Sequence, residues 1–311
     1  MSNFKQIFER VSNDGIMYLV DADTPLRVYY GINSKNQYEV TVIAPYKGKI
    51  PELSTCGLEV KQTYDGKRYY TKVCLIDLDF IDTFFVFCDS LIDSISGVSD
   101  EEEAYAAFLS KLISWKKMFT KKKHFLSDEE VQGYYGELYF LDNYIFPKLG
   151  FRDGLKAWSG PEGTSKDFST DQEWFEVKTT GMMSEKVKIS SVQQLASENY
   201  GHLIIIRAEK VAEGFKNGIG SLNDLFKKIC FELKNQPELE DAFIDKLEKI
   251  GYAYDVHYDT PKFSISSMNF YLVDEKFPKI TSAEDYGEAI ADVSYALLIN
   301  ALAKFLEKKD I

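Results

Sequence analysis

The sequence predicts a mixed α/β (α+β) protein, in which a mixed central sheet is flanked by helices and preceded by an N-terminal antiparallel β region. Three observations support this fold class. Segments rich in Val, Ile, Tyr, Phe and Thr dominate residues 1–97. Segments with helical and strand periodicity alternate from residue 127 onward. Residues 203–206 are all apolar, as expected of a central strand buried on both faces.

The N-terminal region, residues 1–97, is predicted to be a small antiparallel β region. Asp65-Gly66 between two of its strand-like segments is a hairpin signal. No catalytic arrangement of residues is visible here, so we interpret the region as a packing or partner-binding module, followed by a second domain at 98–311. The predicted strands are 27–32, 38–43, 58–64, 68–78 and 83–88.

A helix is predicted to begin at Ser127, because Ser127 and Glu130 form a capping box before a stripe of apolar residues at helical spacing. Glu137 lies beside this stripe, either as a site residue or as an exposed helix glutamate. Pro147 is expected to end the helix. Residues 150–163 then form a glycine-rich loop, which either lies against a substrate or simply connects two elements.

Two short strands joined at Asp171 and Gln172 form the predicted centre of the chain. On the second strand, alternation separates Glu176 and Lys178, on an exposed face, from the apolar residues on the core face. A hairpin here brings Asp167 alongside Glu176. Two carboxylates so close repel each other unless a cation lies between them, and a hard ion such as Mg²⁺ or Mn²⁺ prefers such oxygen ligands.

The segments after this hairpin complete the sheet and add helices. Ser190 or Ser191 caps a short helix, with Gln193 or Gln194 at the reciprocal position. Later helices begin at Ser221 and Pro237, and the second ends at Gly251. Strand character returns at 254–258 and 263–273, whereas residues 290–299 fit either a strand or a helix.

Composition restricts the classes of function. The net charge of −12 argues against tight, indiscriminate DNA binding, because nucleic-acid binders usually carry a basic footprint. One basic cluster, which includes Lys121, Lys122 and Lys123, either contacts a phosphate backbone or forms a solvated helix end. The absence of a membrane-length apolar run and of a signal-peptide segment predicts a soluble cytoplasmic protein. The four cysteines are scattered and no pair has CxxC spacing, which argues against a structural zinc site.

The order of a helix acid (Glu137), an aspartate (Asp167) and an acid-x-lysine triplet (Glu176-Val177-Lys178) resembles the PD-(D/E)XK nuclease superfamily. The flanking segments GELYFL, WSGP and KISSVQQL are similar to those of a bacterial family of unknown function that occurs among phage-defence genes. Lys166 stands where the superfamily often has proline. The resemblance is strongest over residues 127–203.

The resemblance implies a restriction-endonuclease-like fold in which Asp167 and Glu176 bind the metal, supported by Glu137 and the Val177 carbonyl. Lys178 would orient and activate the attacking water, while Gln193 and Gln194 would hold the lysine or a phosphate.

The predicted function is metal-dependent hydrolysis of a nucleic-acid phosphodiester, with DNA as the expected substrate, in restriction or phage defence. No P-loop, GxGxxG or GxSxG motif supports another chemistry. The alternative is a catalytically inactive adaptor of the same fold, which binds a partner protein of a defence complex through the N-terminal region. The acidic net charge and the length of chain outside the motif favour that alternative.

Overall fold

The structure, a computed structural model, describes residues 4–11, 15–47, 50, 54–120, 125–196, 200–211, 219–280, 287 and 289–310. The chain divides into two compact units, the first made of Met1–Phe125 and Lys227–Val256 and the second of Leu126–Phe226 and His257–Ile311. The mixed α+β architecture is confirmed. The domain boundary predicted after residue 97 stays a prediction.

The first unit contains the N-terminal antiparallel sheet, in the order β1-β2-β3-β5-β4. Apolar residues from alternate positions of these strands pack beneath the helices of the unit, so one face of the sheet is buried. The strands are β1 (Met17–Leu19), β2 (Arg27–Ile32), β3 (Tyr38–Ala44), β4 (Leu58–Tyr64) and β5 (Tyr69–Leu75). The helices that lie wholly within the unit are α1 (Phe4–Phe8), α2 (Ile81–Ile95), α3 (Glu101–Trp115) and α7 (Pro237–Lys249).

The predicted strand at 83–88 is wrong, because these residues lie within α2. The six residues TFFVFC have high β propensity when taken alone. Over a longer window, Phe84, Phe87, Leu91 and Ile95 recur at helical spacing and are all fully buried. Packing of this helical stripe therefore overrides the local strand preference.

The second unit is built on a sheet in the order β10-β11-β9-β7-β6, with β13 pairing to β11 as well. β7 and β9 are parallel and the other pairs are antiparallel, as the predicted mixed sheet requires. A separate two-stranded sheet joins β8 to β12. The strands are β6 (Phe168–Ser169), β7 (Trp174–Thr180), β8 (Lys186–Ile189), β9 (Gly201–Val211), β10 (Ile219–Gly220), β11 (Lys262–Val273), β12 (Tyr295–Leu298) and β13 (Leu306–Asp310).

Helices α4 (Asp128–Phe140) and α5 (Phe146–Ala157) belong to this unit, and α6 (Leu222–Leu233) begins in it. The Ser127–Glu130 capping box is present at the start of α4. The Phe140 ring at its end packs against Phe168, Phe175 and Phe270 of the sheet, with ring centroids 5.2, 5.4 and 6.0 Å away. These contacts dock α4 on the sheet beside the predicted hairpin.

Pro147 does not end the helical path, contrary to prediction. A π-helical turn over Leu141–Ile145 links α4 to α5, and Pro147 is the second residue of α5. The helical path continues through the proline, and the wider π turn lies just before it, where the proline lacks an N–H for the regular hydrogen-bond pattern. Gly150, with φ of 77°, marks a kink, and helix continues to Ala157. The predicted loop at 150–163 is therefore helical over its first half.

Several further segments were predicted from local sequence patterns, with different outcomes. Ser221 and Asp224 cap each other at the start of α6, and Gly251, with φ of 81°, follows the end of α7, as predicted. Residues 254–258 are not a strand, since Val256–Asp259 forms a 3₁₀ helix. The ambiguous segment 290–299 contains β12, and its last residue begins a 3₁₀ helix, Ile299–Phe305.

Candidate active site

The β6–β7 hairpin brings Asp167 next to Glu176, as the sequence predicts. The turn forms because the Thr170 N–H donates to the Glu173 carbonyl (2.9 Å) and the Glu173 N–H donates to Thr170 Oγ1 (3.1 Å). Phe168 then pairs with Phe175, so Asp167 lies one residue further along the same register. Its Oδ2 accepts a hydrogen bond from the backbone N–H of Val177 at 2.7 Å, which fixes the carboxylate against β7.

Glu137 belongs to α4 and is the third acid of the candidate site. Its Oε2 accepts a hydrogen bond from Trp158 Nε1 at 2.9 Å. Gly160 lies between Glu137 and Asp167: a Cβ there would be 3.4 Å both from Glu137 Oε2 and from Asp167 Oδ1. The backbone N–H groups of Ser159 and Gly160 each donate to the Asp167 carbonyl at 2.9 Å. The segment 158–160 therefore ties these two acids into one small space.

Glu176, on β7, is fully buried. Lys178 Nζ forms an ion pair with its Oε1 at 2.7 Å. Neither Glu176 oxygen has a well-directed hydrogen bond among the described residues. A buried carboxylate with so few hydrogen bonds is costly, and a cation at its oxygens would offset that cost.

The face of β7 that carries Glu176 is not exposed, contrary to prediction. Trp174 on the same face is 4% exposed and belongs to an apolar cluster with residues of β8, β9 and β12. The prediction failed because alternation along one strand does not reveal that the β8–β12 sheet covers this face.

Burial and mutual repulsion shift the acids toward their neutral forms. Burial, with the Asp167 charge as a second cause, raises the pKa of Glu176 from 4.5 to about 8. Burial also raises the pKa of Asp167, against the opposing effects of Lys178 and the Val177 N–H. The pKa of Glu137 lies well above its ordinary value because of burial and of Asp167. Burial alone would lower the pKa of Lys178, but Glu176 and Asp167 raise it, so Lys178 carries its charge.

This donor set fits a hard divalent cation. It offers carboxylate oxygens from three separate elements, one of them buried without well-directed hydrogen bonds, and their repulsion is what a cation would relieve. In the described part of the chain, no three His, Cys, Asp or Glu side chains are close enough to form a ready-made ligand set. The acids interact electrostatically, and ligation would require their side chains to draw closer together.

Lys166 is a buried residue of this region to which the sequence analysis assigned no role. Its Nζ donates to the backbone carbonyls of Gln193, Gln194 and Ala196 at 2.6, 2.6 and 3.0 Å. It also lies 4.0 Å from the centre of the Trp174 ring. Burial lowers its pKa to about 8. Lys166 thus joins the segment before Asp167 to the short 3₁₀ helix Val192–Gln194 and to β7.

The two glutamines contribute their backbone carbonyls to Lys166. The predicted capping box does not form, because the N-cap of the 3₁₀ helix is Ser191 and its side chain makes no capping hydrogen bond. The Gln194 side chain instead accepts from the N–H of Ser190, the residue before the N-cap, at 2.7 Å, and Gln193 is exposed. Their roles as partners of Lys178 or of a phosphate stay predictions, as does the role of the Val177 carbonyl. Lys121, Lys122 and Lys123 lie outside the described residues.

The second unit combines a mixed sheet with an acid on the adjacent helix and an aspartate beside an acid-x-lysine triplet, whose lysine pairs with its acid. This combination defines a nuclease-like protein of the PD-(D/E)XK class. The model of a protein family described as "Putative PD-(D/E)XK family member, (DUF4420)" matches residues 4–300, and the chain belongs to this family. Members of this class typically use divalent metals, and the fold implies nucleic acid as a partner. Neither the curated proteins nor the solved structures gave a match.

Among the described residues, no helix combines the length and apolarity needed to cross a membrane.

Proposed function

We propose that this protein is a Mg²⁺- or Mn²⁺-dependent nuclease that hydrolyses phosphodiester bonds of DNA in restriction or phage defence. The observation that supports it best is the arrangement of three acids and one lysine. Glu137 Oε2 and Asp167 Oδ1 both lie against Gly160. Asp167 also lies beside Glu176 across the hairpin, and Lys178 Nζ forms an ion pair with Glu176. Three acids and one amine in a buried space suit the binding of a hard cation and the stabilisation of charge on phosphate.

In this proposal Asp167 and Glu176 hold the metal, and Glu137 supports it. A bound divalent ion supplies charge neutralisation at the phosphate and lowers the pKa of water. Lys178 remains charged beside Glu176, which favours a role in orienting the attacking water and offsetting phosphate charge over a role as a proton acceptor. The Val177 N–H keeps the Asp167 carboxylate directed at the site.

The test is cleavage of plasmid and oligonucleotide DNA with Mg²⁺ or Mn²⁺ by the wild type, Asp167→Ala and Lys178→Ala. We expect each substitution to reduce the rate by at least about a hundredfold. Lys156→Ala, which changes an exposed lysine of the same unit, is the matched control and should cut like the wild type. Equal cutting by all four proteins, or no cutting with either metal, would contradict the proposal.

The second candidate is a catalytically inactive adaptor that binds a partner protein of a defence complex through the N-terminal sheet. The net charge of −12 favours it, as does the first compact unit, which lies outside the candidate active site. Stable co-purification with the product of a neighbouring gene, together with no calorimetric heat on titration with Mn²⁺, would support the adaptor. Metal-dependent cutting by the isolated chain would argue against it.

A further inference from the structure

The turn between β7 and β8 presents two methionines to solvent. Met182 is 47% exposed and Met183 is 90% exposed. Met183 gains almost nothing from folding, since its contact with water is hardly reduced, and Met182 keeps nearly half of its surface in water. The turn follows β7 directly, so it begins a few residues after Lys178.

This turn is held by its surroundings. The Ser184 N–H donates to the Gly181 carbonyl at 3.1 Å and closes the turn. Arg207 of β9 donates from Nη1 to the Gly181 carbonyl at 2.9 Å and to the Ser184 carbonyl at 2.6 Å. One guanidinium therefore fixes both ends, and the two methionines project from a defined position at the end of the candidate catalytic strand.

Two lysines follow the methionines on the solvent side of β8. Val187 and Ile189 are buried in the apolar cluster, so Lys186 and Lys188 alternate with them and point outward. In the β8–β12 pair, Lys186 lies opposite Leu298, which is 54% exposed. The exposed surface thus combines an apolar tip with two ammonium groups, and Glu185 is the acid at its edge.

We propose that Met182 and Met183 form a wedge that enters a groove of a nucleic-acid duplex and separates stacked bases, while Lys186 and Lys188 contact the phosphates. Methionine is among the side chains that proteins insert between base steps, and its flexible thioether adapts to an irregular gap. Two lysines on the same surface match the charge of the backbone. The inference rests on the proposed function and narrows its substrate to a duplex that is deformed on binding.

The test measures binding in a Lys178→Met background, which keeps the substrate uncut. The probe is a DNA duplex in which 2-aminopurine replaces the adenines of one strand, because its fluorescence rises when bases unstack. The background protein should bind and raise the fluorescence. Met182→Ser with Met183→Ser should abolish most of that rise and weaken binding. Leu78→Ser, an equal change at a residue of the first unit that is 62% exposed, should alter neither.

Substitutions of the two lysines and of Glu185 test the contribution of charge to duplex binding. Lys186→Ala with Lys188→Ala should reduce the slope of log K against log salt by about two. Glu185→Gln should strengthen binding, since it removes an acid from the same edge. Unchanged fluorescence and affinity in the double methionine variant would overturn the wedge, as would a background protein that binds anionic phosphatidylserine vesicles but no duplex.

These outcomes separate the wedge from the proposed function. If the wild type cuts DNA and the methionine variant binds and unstacks the duplex normally, the nuclease proposal is supported and the wedge proposal is wrong. If the unstacking signal depends on the methionines but the wild type cuts no DNA, the wedge proposal is supported and the nuclease proposal is wrong.

Discussion

Gly136 of α4 and Thr179 of β7 are in direct contact, and a Cβ on Gly136 would lie 1.7 Å from Thr179 Oγ1. This close approach sets the distance between the helix that carries Glu137 and the strand that carries Glu176 and Lys178. Glycine is required here by space, because any side chain would force the helix away from the strand.

Gly136→Ala is expected to destabilise the protein by about 1–3 kcal/mol, because the added methyl overpacks the contact between α4 and β7. It should also weaken metal binding by moving Glu137 away from Asp167. Thermal unfolding and Mn²⁺ calorimetry measure the two effects. Gly133→Ala is the control on the same helix: nothing lies within 4 Å of its Cβ, so we expect stabilisation by about 0.5–1 kcal/mol. Equal effects of the two substitutions would contradict the close-packing argument.

Glu176→Gln is expected to stabilise the metal-free protein while abolishing activity. The pKa of Glu176 is raised from 4.5 to about 8 in the folded state, so folding binds a proton over this range and stability falls as the pH rises from 4.5 to about 8. The neutral amide removes that cost, by about 1–3 kcal/mol near pH 8. Chemical denaturation with EDTA at several pH values measures the effect. A gain that does not shrink toward pH 4.5 would show that the buried charge is not its cause.

Metal affinity should increase with pH. Protons compete with the cation for Glu176, whose pKa of about 8 places the competition in the neutral range. Below that pKa we expect the Kd for Mn²⁺ to fall by about tenfold per pH unit, and above it to level off. Titration calorimetry in buffers of different ionisation heat measures both the affinity and the proton release. A Kd that stays constant from about pH 6 to about pH 8 would mean that Glu176 is not a ligand.

Lys166→Met is expected to destabilise the protein by about 2–4 kcal/mol, because three carbonyl groups lose their shared donor in a buried setting. Lys156→Met, at an exposed position, should change stability by less than about 0.5 kcal/mol. Urea denaturation provides the comparison. If Lys166→Met unfolds at the same urea concentration as the wild type, the ammonium does not hold the 3₁₀ helix to the hairpin.

The candidate site was predictable to a large extent because its parts are local. The Thr170–Glu173 turn fixes the hairpin register within a few residues, so the nearness of Asp167 and Glu176 follows from sequence. Glu137 is different, since it reaches the site only because α4 docks on β7. That docking depends on Gly136 and on aromatic packing between residues far apart in sequence.

By itself, the sequence determined the capping of α4 and α6, the turn before β7, the central position of β9 and the order of acids and lysine. The caps, the turn and the strand depend on hydrogen bonds or periodicity within a short window, and the order of acids and lysine is read directly from the chain. Only the tertiary structure decided that residues 83–88 are helical, that Glu176 is fully buried and that Lys166 spans three segments. Those outcomes depend on which surfaces cover one another, and burial by distant segments is not encoded in any local pattern.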